Sequence, residues 1–266
     1  MKKNTIVTAL LFSCLSAIAL HAGPVIVFDI HGVLLRDDIA SLVQRKIALL
    51  LAQNRGMGDN PLVKELNGLM TMCRPLGQPT AEYSPSLGVP YEIYALFAGI
   101  KSPDEVRAAV LAMITNTPLD PKKALMFEAL IDTTFNNVER VSALVVIPTT
   151  AALLKSLLSD PNNQVYIYSN APAEWVNQYR TLFPDIFAGI PHDHLMCSGS
   201  TGFIKPSKAA FEAICAEANC EISDIILIDD SQQNCETLQQ LGGTALRCFT
   251  PKPLSGGAST TNTQPE

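Results

Sequence analysis

Three short apolar runs constrain the fold of this chain most tightly: Val25-Ile26-Val27-Phe28, Val165-Tyr166-Ile167-Tyr168 and Ile225-Ile226-Leu227-Ile228. Runs without polar alternation suit strands covered on both faces, as in parallel sheets with helices packed on each side. Helical patterns surround the later runs, at 149–158, 173–183, 207–218 and 232–241, and Gly242-Gly243 then leads to a last strand at 245–249. Strands and helices alternating at this spacing imply an α/β fold, with a parallel sheet and right-handed crossovers.

The block after the first strand is different. Asp37 and Asp38 can cap a helix reaching to about residue 54, a further helix is expected over 61–73, and 74–90 reads as a proline-rich loop. Ser102-Pro103-Asp104-Glu105 is a helix start with a capping serine, a proline in the first turn and a glutamate three residues on. Asp120-Pro121 opens another helix, to about residue 135. The α/β core, 23–36 and 148–250, is therefore expected to be split by an all-helical insertion, 37–147. The Ser/Thr/Gly/Pro-rich tail, 251–266, is expected to be disordered.

Composition bounds the function classes. A formal charge of −6 leaves no basic footprint for nucleic acid. Lys2 and Lys3 precede an apolar run over 6–20, and Ala22 offers a small residue before Gly23. That layout predicts a signal peptide, 1–22, and export to a periplasmic or extracellular space; the alternative is an uncleaved helix on a cytoplasmic protein. The run is too short for a stable membrane span, which needs ~20 residues. Cysteine spacing fits no zinc site, since no Cys-x-x-Cys pair exists, and free thiols are expected for most of the seven cysteines. Oligomeric state has no signature here.

The strand ends carry the chemistry. The three runs end in Asp29, in Ser169-Asn170 and in Asp229-Asp230, and carboxyl ends of parallel strands emerge at one edge, where open α/β sheets bind ligands. Asp29 can act as a nucleophile or hold a metal, and Gly32 lets the chain leave in a tight turn. Three carboxylates in one crevice call for a cation, because like charges raise one another's pKa values. Oxygen-only ligands favour Mg²⁺, which also neutralises phosphate oxygens. Lys205, before a helix in Phe203-Ile204-Lys205-Pro206, could add a fixed positive charge.

With these residues in this order, the chain resembles the haloacid dehalogenase-like (HAD) hydrolase superfamily. The resemblance covers about 25–36 and 148–249 and implies a Rossmann-like core, with the helical insertion as a C1-type cap closing over small substrates. It implies that Asp29 attacks phosphorus to form an aspartyl-phosphate, that Ser169 binds the phosphoryl group with Asn170 beside it, and that Lys205 steadies nucleophile and phosphate. It further implies that Asp229 and Asp230 hold Mg²⁺, with Asp29 and the backbone carbonyl of residue 31 as further ligands. The substrate would be a small phosphorylated molecule.

His31 departs from this pattern, which usually has a second aspartate there. Imidazole titrates near neutrality and could carry the proton that the aspartate carries in relatives. A structural or inert histidine is the other reading: the substrate's leaving group then needs little acid assistance, or the protein is a degenerate binding module. Dehalogenases also lack the second aspartate, so a metal-independent dehalogenase-type hydrolase is a further alternative. Bland roles compete elsewhere: Asp229-Asp230 and Ser169-Asn170 could be helix caps, Trp175 and Tyr179 packing residues, and His192 and His194 parts of a polar loop. Tyr83, Tyr91 and Tyr94 could line a pocket, although cap packing is the default.

Overall fold

The computed structural model describes residues 24–37, 90–136, 140–141 and 144–248. In chain order these form β1 (Val25–Phe28), β2 (Leu35–Asp37), α1 (Tyr91–Phe97), α2 (Pro103–Thr115), α3 (Pro121–Phe135), β3 (Leu144–Val146), α4 (Pro148–Leu158) and β4 (Gln164–Ser169). Then come α5 (Ala173–Leu182), the single turn α6 (Pro184–Phe187), β5 (Leu195–Cys197), the single turn α7 (Ser198–Thr201), α8 (Lys208–Ala218), β6 (Ile225–Asp229), α9 (Gln232–Gln240) and β7 (Thr244–Arg247).

Five strands form one parallel sheet in the order β5-β4-β1-β6-β7. All four residues of β1 are buried, which suits the centre of the sheet. Alternate side chains serve opposite faces. Ile26 and Phe28 join Val165, Ile167 and Ile228 under α4 and α5, while Val25 and Val27 join Tyr166, Tyr168 and Leu227 under α8 and α9. The register sets the ends level: Phe28 lies opposite Ile167 on one side and Ile228 on the other. Asp29, Ser169 and Asp229 consequently leave the sheet at one edge.

Where the chain leaves the core and where it returns, β2 and β3 pair antiparallel, with Arg36 opposite Val145. Ile147 N–H donates to the Leu34 carbonyl at 2.8 Å, and the Thr150 hydroxyl donates to the Val33 carbonyl. Between these strands, 90–136 is helical. Ser102 forms the expected capping box with Glu105 at the start of α2. Leu96, Val106, Val110, Phe127 and Ile131 continue the apolar core that begins on the sheet under α4 and α5.

Two details depart from the sequence expectations. The stretch 184–206, between the expected helices at 173–183 and 207–218, contributes β5 to the sheet edge, and β2 with β3 adds a second small sheet. Strands of three residues are too short to display a period, and Leu195-Met196-Cys197 lacks β-branched residues. The expected helices at 39–54 and 61–73, the loop with Tyr83, the signal segment, Cys14, Cys73 and the tail lie outside the described residues. Cys197, Cys215, Cys220, Cys235 and Cys248 are free thiols. Among the described residues, no helix is long and apolar enough to cross a membrane.

Candidate active site

Lys205 is the hub of the carboxyl edge. Its ammonium donates to Asp29 Oδ1 at 2.9 Å and to Asp229 Oδ2 at 2.7 Å, and only 2% of the residue is exposed. A lysine buried so completely needs an ionised partner, because its desolvation must be offset by paired charge. The end of β4 holds its loop. The Asn170 amide donates to the Lys205 carbonyl at 2.8 Å and its oxygen accepts from the Lys205 N–H at 2.9 Å. The Tyr168 hydroxyl donates to the Phe203 carbonyl at 2.6 Å, and the Lys205 ammonium stands 5.9 Å above the Tyr168 ring centre. Asn170 lines the cavity, yet its amide is spent on backbone.

Asp229 accepts from the Ser231 N–H at 2.8 Å and from the Asn234 amide at 3.1 and 3.0 Å. Ser231, not the aspartate pair, caps α9. No side chain caps α5, whose first turn follows Pro172. Neither capping alternative therefore accounts for Asp229-Asp230 or Ser169-Asn170. Ser169 is buried and lines the same cavity as Asp29. Asn234 was not among the sequence candidates; its place one turn into α9, five residues past Asp229, is the only hint of its role.

One oxygen each of Asp29, Asp229 and Asp230 lies within 4.8 Å of the others, and this is the sole such cluster among the described residues. Burial is the largest influence on Asp29, pushing its carboxyl from an ordinary 3.8 up to about 7 against the pull of Lys205. Asp229 and Asp230 push the same way. Burial also raises Asp230, helped by Asp229. For Lys205 burial acts downward, but Asp29 and Asp229 hold its ammonium above the usual range. One lysine does not neutralise three carboxylates, so an all-oxygen divalent cation fits this donor set.

Gly32 makes the cluster possible. Its φ is +77°, and a Cβ there would sit 2.2 Å from Asp230 Oδ2. Gly32→Ala is expected to expel Asp230 from the cluster and weaken Mg²⁺ binding by about tenfold or more, since displacing a ligand costs at least as much as loosening its support. Calorimetric titration with Mg²⁺ checks this, and unchanged affinity would show that Asp230 is dispensable.

His31 lines the cavity, and its Nε2 shares a 2.8 Å hydrogen bond with the Tyr179 hydroxyl. Tyr179 is fully buried, as a packing residue should be, but it is also the anchor of this imidazole, a link across 148 residues that no local pattern announces. Trp175 packs edge-on against Phe97. His194 bonds the Val165 carbonyl at 2.9 Å and stacks on Tyr166, while His192 is exposed; they form no metal clip. Tyr94 lines the cavity with Phe97 and Ile204, and Tyr91 packs beside Tyr94.

The carboxyl edge of the parallel sheet thus carries an aspartate–lysine–aspartate constellation. The family model of haloacid dehalogenase-like hydrolases matches residues 24–242, and the chain belongs to that family. No curated protein matches the chain significantly. Among solved structures, a HAD family enzyme from Bacteroides thetaiotaomicron, in complex with magnesium and inorganic phosphate, is similar at 16% identity and a TM-score of 0.53, covering 88% of this chain and 98% of its own. A predicted HAD-like family hydrolase from Porphyromonas gingivalis is similar at 19% identity and a TM-score of 0.51, covering 85% and 91%. A dehalogenase with intermediate complex is similar at 14% identity and a TM-score of 0.52, covering 86% and 85%. At these identities the likeness is one of fold.

Proposed function

We propose that this HAD-like hydrolase is a Mg²⁺-dependent phosphomonoester hydrolase acting on a small phosphorylated molecule through an aspartyl-phosphate. The observation that carries the reading is the three-carboxylate cluster around Lys205. A dehalogenase would need Asp29 and a cation beside it, but not two further aspartates. The magnesium and phosphate bound by the Bacteroides enzyme support the same choice.

Asp29 supplies the attacking oxygen: its bond to phosphorus forms as the bond from phosphorus to the leaving oxygen breaks. Asp229 and Asp230, with Asp29 and the His31 backbone carbonyl, would hold Mg²⁺. When bound, the ion neutralises phosphoryl oxygens and keeps the Asp29 carboxylate ionised. Ser169 donates to a phosphoryl oxygen, and Lys205 fixes Asp29 while balancing charge. Asn170 positions the lysine loop rather than the substrate. His31 passes a proton to the leaving alkoxide, then accepts one from the water whose oxygen bonds to phosphorus as the Asp29 oxygen leaves it, which releases inorganic phosphate and restores the carboxylate. Such help is typically worth ~10²–10⁴-fold. The helical segment between β2 and β3 closes the site as a cap, and residues 1–22 direct export.

Purified protein is expected to hydrolyse phenyl phosphate with Mg²⁺ and to stop in excess chelator. Halide release from a haloacid in chelator would favour the dehalogenase reading instead. His31→Asp tests the proton carrier, and higher activity in the variant would show that the natural histidine does not fill that role.

A further inference from the structure

The cavity over Asp29 has a volume of about 490 Å³, room for a small organic ligand beyond the phosphoryl group. Two cations line it, Lys205 and Arg36. Lys205 is consumed by Asp29 and Asp229. Arg36 is exposed, and among the described residues its guanidinium makes no hydrogen bond or ion pair. Its backbone is nonetheless fixed, because Arg36 pairs with Val145 across the β2–β3 ribbon and alternates with the fully buried Leu35. Tyr94, Phe97 and Ile204 supply apolar wall in the same cavity.

We propose that Arg36 is a specificity residue that binds a second anionic group, carboxylate or phosphate, on the part of the substrate that is not transferred. This rests on the phosphatase reading of the Asp29 site. A planar guanidinium presents paired N–H donors matched to two oxygens of one anion, and such charge-assisted pairs are about twice as strong as neutral hydrogen bonds. A dianionic phosphoryl group would be held by Ser169 and by Mg²⁺ at the acidic cluster, which leaves Arg36 for a separate anion. The apolar wall takes the carbon frame between the two charges. The substrate class is thus a phosphomonoester of an alcohol or phenol that carries a further acidic group.

The test compares phenyl phosphate with its ortho, meta and para carboxymethyl and phosphonomethyl derivatives, whose leaving groups are alike, on the full Mg²⁺-loaded protein. At least one acidic derivative is expected to show kcat/KM roughly ten- to a hundredfold above phenyl phosphate, mainly through KM. Arg36→Gln is expected to erase that preference and Arg36→Lys to retain part of it. The carboxymethyl and phosphonomethyl arms separate a carboxylate substrate from a bisphosphate. Absence of any preference in the natural protein, or its survival in Arg36→Gln, overturns the proposal. Should none of the esters be hydrolysed, the phosphatase reading fails, and calorimetric affinities of the same compounds for the natural protein and Arg36→Gln still decide the role of Arg36 by the same ratio.

Discussion

Asp29→Asn is expected to lower Mg²⁺-dependent phosphomonoester turnover by roughly 10⁴-fold or more, the scale on which removing a nucleophile acts. Asp229 does not replace it, since its carboxylate is held by Lys205, Ser231 and Asn234. The same change is expected to stabilise the metal-free protein above neutral pH. The Asp29 carboxyl moves from 3.8 to about 7 on folding, chiefly by burial. Between those values the folded chain keeps a proton that the unfolded chain releases, so stability falls as pH rises through the window. The raised Asp230 acts in the same sense, and Lys205 stays charged throughout. In chelator, Tm of the natural protein should therefore fall relative to Asp29→Asn from about pH 4 to about pH 7 and stay lower above it. A parallel pH dependence in the two proteins would mean that Asp29 ionises without penalty.

Lys205→Met is expected to do the opposite to stability. Methionine fills much of the same volume but leaves Asp29 and Asp229 facing each other without a cation, in a place where Asp229 is fully buried. Removing one partner of a buried pair typically costs about 3–5 kcal/mol. The loss should be largest in chelator at high pH and shrink as Mg²⁺ is added or the carboxylates take up protons. Combining it with Asp29→Asn should recover part of the loss, because one of the two stranded charges is gone. Denaturant unfolding of the two single variants and the double variant, with and without Mg²⁺, measures this coupling. Additive effects would show that Lys205 and Asp29 do not act as a pair, contrary to their 2.9 Å contact.

Much of the core was legible because its strands are covered on both faces. β1, β4 and β6 read as unbroken apolar runs, and their polar tips could be assigned to one edge from parallel topology alone. From the residues alone Lys205 was legible as a charge beside that edge, and the family resemblance added its hold on the nucleophile; its bridge to two carboxylates depends on the loop that Asn170 clamps, 35 residues away. Tyr179 shows the same limit: helical spacing marks it as a core residue, and nothing local reveals that its hydroxyl meets His31. Arg36 carries no signal of its own in the sequence; it reaches the cavity through the pairing of β2 with β3. β5 escaped because three residues cannot show a period.

The most direct test of the central claim is mass spectrometry of protein quenched in acid during turnover of phenyl phosphate with Mg²⁺. The account predicts one added phosphoryl group on the peptide that carries Asp29, absent from Asp29→Asn and absent in chelator. Turnover with a phosphoryl group on another residue, or an adduct that persists in Asp29→Asn, would contradict it.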